Sequence, residues 1–217
     1  MLTLGLDTSG DVCAVALLDG DAVLFDARLS VPRAHGRRLA PLVAEAFAHA
    51  DRRLSALDLV AVARGPGSYT GLRIGMSTAK GLALATGAAF AGVPTLAALA
   101  ATAPSPGPIA AVLPSRRGEV YVGVYNNGTE ILPAAALAVA AVAAWLPPGV
   151  SLGGPGADRL DVPVPRVALA ASGVAVARLG LERWRQSGGD DPATAEPVYL
   201  KPVATSQPRG ILASTHL

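Results

Sequence analysis

The densest group of residues able to meet a ligand is Gly65-Pro66-Gly67-Ser68-Tyr69-Thr70-Gly71-Leu72-Arg73-Ile74-Gly75. Before it, Leu59 to Ala63 is a short apolar run of strand type, and after it Leu72 to Ala85 carries small and apolar residues at helical spacing. Backbone amides at the start of a helix receive phosphate or carboxylate groups, and glycines let a ligand or a second chain come near. Gly65, Gly67 and Ser68 are therefore candidate ligand-facing positions. The spacing fits neither the Walker A loop nor the dinucleotide fingerprint, and a tight strand-to-helix turn calls for the same residues. Asp7, Thr8 and Ser9 form a second candidate group at the end of the first strand, although all three also close turns through their own side chains. His35 opens the first helix as a lone imidazole; Leu39 stands one turn later, His49 is too far along, and His216 lies in the tail.

The elements that must position these groups are read from periodicity. Three strands are expected over Leu2 to Thr8, Val12 to Leu18 and Ala22 to Leu29, broken by the hairpin signals Ser9-Gly10-Asp11 and Asp19-Gly20-Asp21. A helix follows from about His35 to Asp51, because Leu39, Leu42, Val43, Ala46, Phe47 and Ala50 share one face. Then come a strand near Leu57 to Ala63, the glycine loop, a helix from Thr70 or Gly71 to about Thr86, and a strand over Ala89 to Val93. This order indicates an α/β lobe. The stretch Thr102 to Pro108, rich in proline, divides an N-terminal lobe of residues 1–103 from a smaller lobe of residues 104–200 and a tail of residues 201–217. In the second lobe, Ile109 to Leu113, Glu119 to Tyr125 and a segment near Thr129 read as strands, followed by an alanine-rich helix ending near Trp145. Val150 to Leu152 reads as a strand and Ser172 to Gln186 as a helix.

With 217 residues the chain can bury a substantial core in two lobes. A net charge of +2 confines any nucleic-acid contact to local patches. Charged residues make up 16%, below the roughly 25% usual in soluble domains, so an apolar patch for a protein partner is expected. The single cysteine, Cys13, excludes an internal disulfide and a multi-cysteine metal site, and it suits a reducing compartment. The N-terminus lacks the pattern of a signal peptide, and prolines and glycines break both long uncharged segments, so a cytoplasmic location without a membrane span is expected. Basic pairs at Arg37-Arg38, Arg52-Arg53 and Arg116-Arg117, with Arg178, Arg183 and Arg185, read chiefly as solvated surface charge. Aromatic residues, 4% of the chain, do not interleave with them, so stacking platforms for unpaired bases are not expected.

Taken together with Leu6-Asp7-Thr8-Ser9, His35 and Arg116-Arg117-Gly118-Glu119-Val120-Tyr121, the glycine loop resembles the TsaB (YeaZ) family over nearly the whole chain. The resemblance implies the two-lobed, actin-like ATPase fold with mixed sheets flanked by helices. It also implies a non-catalytic subunit needed for N6-threonylcarbamoylation of adenosine 37 in tRNA, acting as a heterodimer with the paralogous catalytic subunit TsaD. A TsaE-type ATPase subunit would dock on the pair, the chain would form a homodimer when alone, and tRNA would be met only indirectly or weakly.

In that family the first two helices meet the partner, which implies His35, Leu39, Leu42, Val43, Leu72, Arg73, Met76, Ala79 and Lys80 as interface residues. The side of the second helix bearing Gly75, Met76, Ala79 and Ala83 is expected to be open to the partner, with Ile74, Leu82 and Ala85 in the core. Asp7, Thr8, Ser9, Gly65, Gly67 and Ser68 are implied as a vestigial nucleotide-binding group, with no catalytic residue. The chain alone is expected to require no cofactor, and ATP or ADP would sit at the complex interface. TsaD-type relatives hold a metal through two histidines at i and i+4; with Leu39 in the second position, no metal is expected here. Pro114-Ser115 departs from the Asp-Ala common in relatives, and between Leu57 and Gly75 the only acid is Asp58, which precedes the strand. The alternative reading is an independent nucleotide-binding ATPase of the actin-like superfamily that uses Asp7 as its magnesium-associated acid.

Overall fold

A computed structural model describes residues 1–30, 34–104, 106–126 and 128–201. Expectations for residues 202–217 of the tail lie outside the described residues. The chain opens with β1 (Leu2–Asp7), β2 (Val12–Asp19) and β3 (Ala22–Ser30), then α1 (His35–His49), β4 (Leu59–Gly65), α2 (Tyr69–Thr86) and β5 (Ala89–Pro94). A short helix, α3 (Thr95–Ala100), leads to β6 (Ile109–Pro114), β7 (Glu119–Asn126), β8 (Thr129–Ala138) and α4 (Val139–Trp145). The chain continues through β9 (Ser151–Gly153), β10 (Arg166–Val167) and α5 (Gly173–Ser187).

The strands form two mixed sheets of the same design. In the first, β1 pairs antiparallel with β2, and β2 with β3, while β4 and β5 add in parallel on the other side of β1. In the second, β6, β7 and β8 form the antiparallel meander, and β9 and β10 add in parallel beyond β6. Two such sheets flanked by helices make the two-lobed actin-like fold.

Alternation along each strand decides what covers each face. Leu4 and Leu6 of β1, Cys13, Val15 and Leu17 of β2, and Val60 and Val62 of β4 point toward α1 and α2. The intervening small residues face α5. A Cβ on Gly5 or Gly180 would collide with Gly173 and Ala61 respectively, so these glycines let α5 lie directly on the sheet. The helix expected in the second lobe thus packs on the first sheet, and α3, from the first, packs on β6 and β7 through Leu96 and Leu99. Packing is exchanged across the division expected at residues 103 and 104. Helix α3 has no counterpart among the sequence expectations, since its uniformly apolar run lacks an amphipathic period.

A candidate site at the cleft between the lobes

The glycine loop and the Asp7-Thr8-Ser9 turn meet at the edge of the first sheet. Because β1 and β4 run parallel and adjacent, their C-terminal ends lie side by side, and each feeds a turn on the same edge. The Asp7 carboxylate is enclosed, 3% exposed, and its Oδ1 accepts hydrogen bonds from the Ser9 amide at 2.9 Å and the Ser9 hydroxyl at 2.6 Å. Burial raises its pKa above the usual carboxylate range, against the lowering effect of the Ser9 bonds and the nearby His35. The Thr8 hydroxyl donates to the Gly71 carbonyl at 2.7 Å, and the Ser68 amide donates to the Ser9 carbonyl at 2.7 Å. Ser68 caps α2 by accepting from the Gly71 amide at 3.3 Å.

The glycines explain how close this packing is. A Cβ at Gly67 would fall within 3.0 Å of Ser9, and one at Gly71 or Gly75 within 3.0 Å of Thr8. Gly65 adopts φ +122 and lies against the Val198 carbonyl. Its amide donates to the Thr95 hydroxyl oxygen at 3.0 Å. The close approach that the glycines permit is therefore filled by the chain itself.

The implied interface residues divide by exposure. His35, Leu39, Leu42, Val43, Leu72, Met76 and Ala79 are buried within this chain, whereas Arg73 is exposed and Lys80 half-buried. The expectation of an open side of α2 at Gly75, Met76, Ala79 and Ala83 is corrected: that side seats on the sheet and the Thr8 turn, where small side chains are needed. Ile74 and Leu82 are only half-buried and Ala85 is exposed. The outward side of α2 carries Arg73, Ser77, Gly81 and Ala85, and that of α1 carries Gly36, Ala40, Ala44 and Ala48, each set at intervals of one helical turn. His35 Nε2 is buried without a hydrogen-bond partner. Among the described residues no group of three His, Cys, Asp or Glu side chains stands within ligating range of one point. Asp58 accepts from the Leu2 amide at 2.7 Å at the far end of β1, away from the turns. Cys13 is buried and its thiol is pushed up to about 11, first by burial and then by the charge of Asp7, which leaves it inert.

A cleft of about 580 Å³ opens between the lobes, with Ser9, Gly67 and Tyr69 on one wall and Pro114, Ser115 and Tyr121 on the other. After α5 the chain returns along the first lobe. The Asp190 carboxylate receives the Gly92 amide and Arg183, both at 2.8 Å, and the Val198 amide donates to the Arg64 carbonyl at 2.7 Å. Tyr199 then rests against Tyr69, with ring centroids 5.2 Å apart, and Lys201 reaches Glu119 of β7 as an ion pair. Arg73 lies over the Tyr69 ring at 5.4 Å and donates to its hydroxyl at 2.9 Å. Arg73, outside the basic groups singled out from the sequence, thus stands beside an aromatic pair assembled by the fold: 130 positions separate Tyr69 from Tyr199, and the returning chain brings them together. Of the other arginines, Arg183 pairs with Asp190 and Arg52 with Asp19 at 3.7 Å. No helix among the described residues is long and apolar enough to cross a membrane.

Comparison with known proteins gives this geometry a family. Residues 30–182 match the profile of the family described as TsaD, tRNA N6-adenosine threonylcarbamoyltransferase. The tRNA threonylcarbamoyladenosine biosynthesis protein TsaB of Bacillus subtilis is 36% identical over 133 residues, an alignment covering 61% of this chain and 58% of that protein. A Pseudomonas aeruginosa structure with similarity to peptidase YeaZ superimposes with a TM-score of 0.80 at 33% identity, covering 92% of this chain and 99% of the other. YeaZ from the same organism gives 0.76 at 31% identity, with the same coverage. From nearly complete superposition on YeaZ, together with sequence identity to TsaB, we conclude that the chain belongs to the TsaB (YeaZ) family of tRNA threonylcarbamoyladenosine biosynthesis proteins.

Proposed function

We propose that this chain is a non-catalytic subunit required for N6-threonylcarbamoylation of adenosine 37 in tRNA, and that it works in the cytoplasm by binding a TsaD-type catalytic subunit. The observation that carries this reading is the self-filled turn. Asp7 is enclosed with a raised pKa, and Thr8, Ser9 and the Ser68 amide bond to one another's turns. A magnesium-bound phosphate needs an ionised carboxylate and open amides. Here the carboxylate is enclosed and the Ser9 and Ser68 amides are already bonded within the chain, so ATP or ADP belongs at the interface of the complex and not to this chain alone. The actin-like shape is kept while its phosphate side is spent on internal packing.

The outward sides of α1 and α2 are the proposed contact face for the catalytic subunit, and for a second copy when that subunit is absent. Small residues at intervals of one turn let two helices approach closely. A TsaE-type ATPase subunit docks on the assembled pair.

Reconstituted threonylcarbamoyl transfer tests the reading, with this chain present, absent, or carrying Gly81→Arg. A Cβ at Gly81 meets nothing within 4 Å, and arginine favours helix over glycine, so the variant stays folded. Transfer that depends on the wild-type chain and fails with Gly81→Arg is expected. Equal transfer without the chain refutes the subunit reading, and ATP turnover by the pure protein that is abolished by Asp7→Ala would establish the enzyme reading instead.

A further inference from the structure

We propose that the cleft lip formed by Tyr69, Tyr199 and Arg73 is a contact site for unpaired bases of RNA. The proposal rests on the reading that the chain serves tRNA modification, and adds a direct contact to it. Three observations converge. The two tyrosines are the most exposed aromatics of the described residues, 42% and 39%, and an aqueous surface gains nothing from leaving both there. Their rings are tilted by 36° at 5.2 Å, and Tyr69 is held on its other neighbour by the Arg73 hydrogen bond, so the platform is preorganised. Arg73 places a cation over the Tyr69 ring at 5.4 Å, and Arg116 and Lys201 line the same cleft as the two tyrosines, although Lys201 is largely neutralised by Glu119.

Adjoining aromatic rings beside a guanidinium group are a surface that single-stranded nucleic acid selects, because every base has a π-face and every nucleotide a phosphate. A paired duplex offers no base faces to such a lip. A small nucleotide is a poorer occupant: its phosphates would need the Gly67 to Gly71 turn, which Thr8 and Ser9 already fill. The Tyr199 half of the platform comes from the chain's return across the first lobe, anchored by Val198 on Arg64.

The test is fluorescence anisotropy of the full chain with two labelled probes, an RNA hairpin with a wide unpaired loop and a fully paired duplex of the same length. The wild type is expected to prefer the looped probe. Tyr69→Ala and Tyr199→Ala should each lose about tenfold in affinity, the range of one stacked base, while Tyr69→Phe, which keeps the ring and loses only the Arg73 hydrogen bond, should lose less than Tyr69→Ala. Arg73→Ala should flatten the salt dependence by about 0.7 in logarithmic slope, as one lost phosphate contact does. Equal binding of both probes, or tyrosine variants that bind like wild type, overturns the proposal. So does a tyrosine variant that keeps RNA affinity but no longer binds the catalytic subunit, since the lip is then a protein interface. Transfer activity is read in parallel: wild-type-dependent transfer with RNA affinity unaltered in the variants removes this site and leaves the subunit reading standing.

Discussion

Gly71→Ala and Gly81→Ala make the same chemical change in the same helix, and the structure gives them opposite outcomes. Alanine in place of glycine stabilises a helix by about 0.5–1 kcal/mol, partly by restricting the unfolded chain. At Gly81 nothing lies within 4 Å of the added Cβ, so that gain should appear unopposed. At Gly71 the Cβ would press on the Thr8 carbonyl oxygen, a backbone atom fixed in the turn after β1. Relieving such overlap costs about 1–3 kcal/mol through shifted backbone. The net expectation is a loss of about 1–2 kcal/mol for Gly71→Ala and a gain of about 0.5–1 kcal/mol for Gly81→Ala. The gap, about 1.5–3 kcal/mol, corresponds to roughly 10- to 150-fold in the unfolding equilibrium. Urea unfolding followed by circular dichroism and by tryptophan fluorescence measures it, with Trp184 on α5 reporting the first lobe and Trp145 on α4 the second. Equal stability of the two variants would show that Thr8 and Ser9 do not fill the glycine turn, and the case for a spent phosphate site would fall with it.

Three further outcomes are expected. Asp7→Asn should stabilise the protein at neutral pH, because a folded pKa raised above the unfolded one makes ionisation costly as pH rises through it; the gain should vanish below the carboxylate range, and thermal melts of both proteins across pH check the sign. Met76→Arg, at a site 3% exposed, should cost about 3–5 kcal/mol by burying an unpaired charge, so denaturant midpoints should separate it from Gly81→Arg, which stays folded. Asp190→Ala should cost about 1–3 kcal/mol by orphaning the Gly92 amide and Arg183. Burial alone would raise the Asp190 pKa, but the Arg183 and Gly92 bonds and the charges of Arg183 and Arg64 outweigh it. That pKa is therefore lowered, and the contribution should fade as pH falls through the acid range, seen as convergence of the wild-type and variant midpoints.

Local pattern made most of the first lobe legible. The alternation of β1 and β2, the single apolar face of α1 and the glycine-bearing entry to α2 are written in neighbouring residues, and the observed bounds, such as His35–His49 and Tyr69–Thr86, follow them. Strand β8 ran well beyond the segment expected near Thr129, because its alanine-rich half carries no period that separates strand from helix. What the sequence by itself determined was the kind and order of the elements, and the presence of a hydroxyl-rich turn beside a glycine loop. Which side of α2 faces inward was a tertiary decision. Small residues serve a partner helix or a sheet equally well, and only the parallel pairing of β1 with β4 places the Thr8 turn against Gly71 and Gly75. Tertiary structure likewise carried α5 back to the first sheet and set Tyr199 on Tyr69. Contacts across such separations depend on where the chain returns, and no short-range spacing records that.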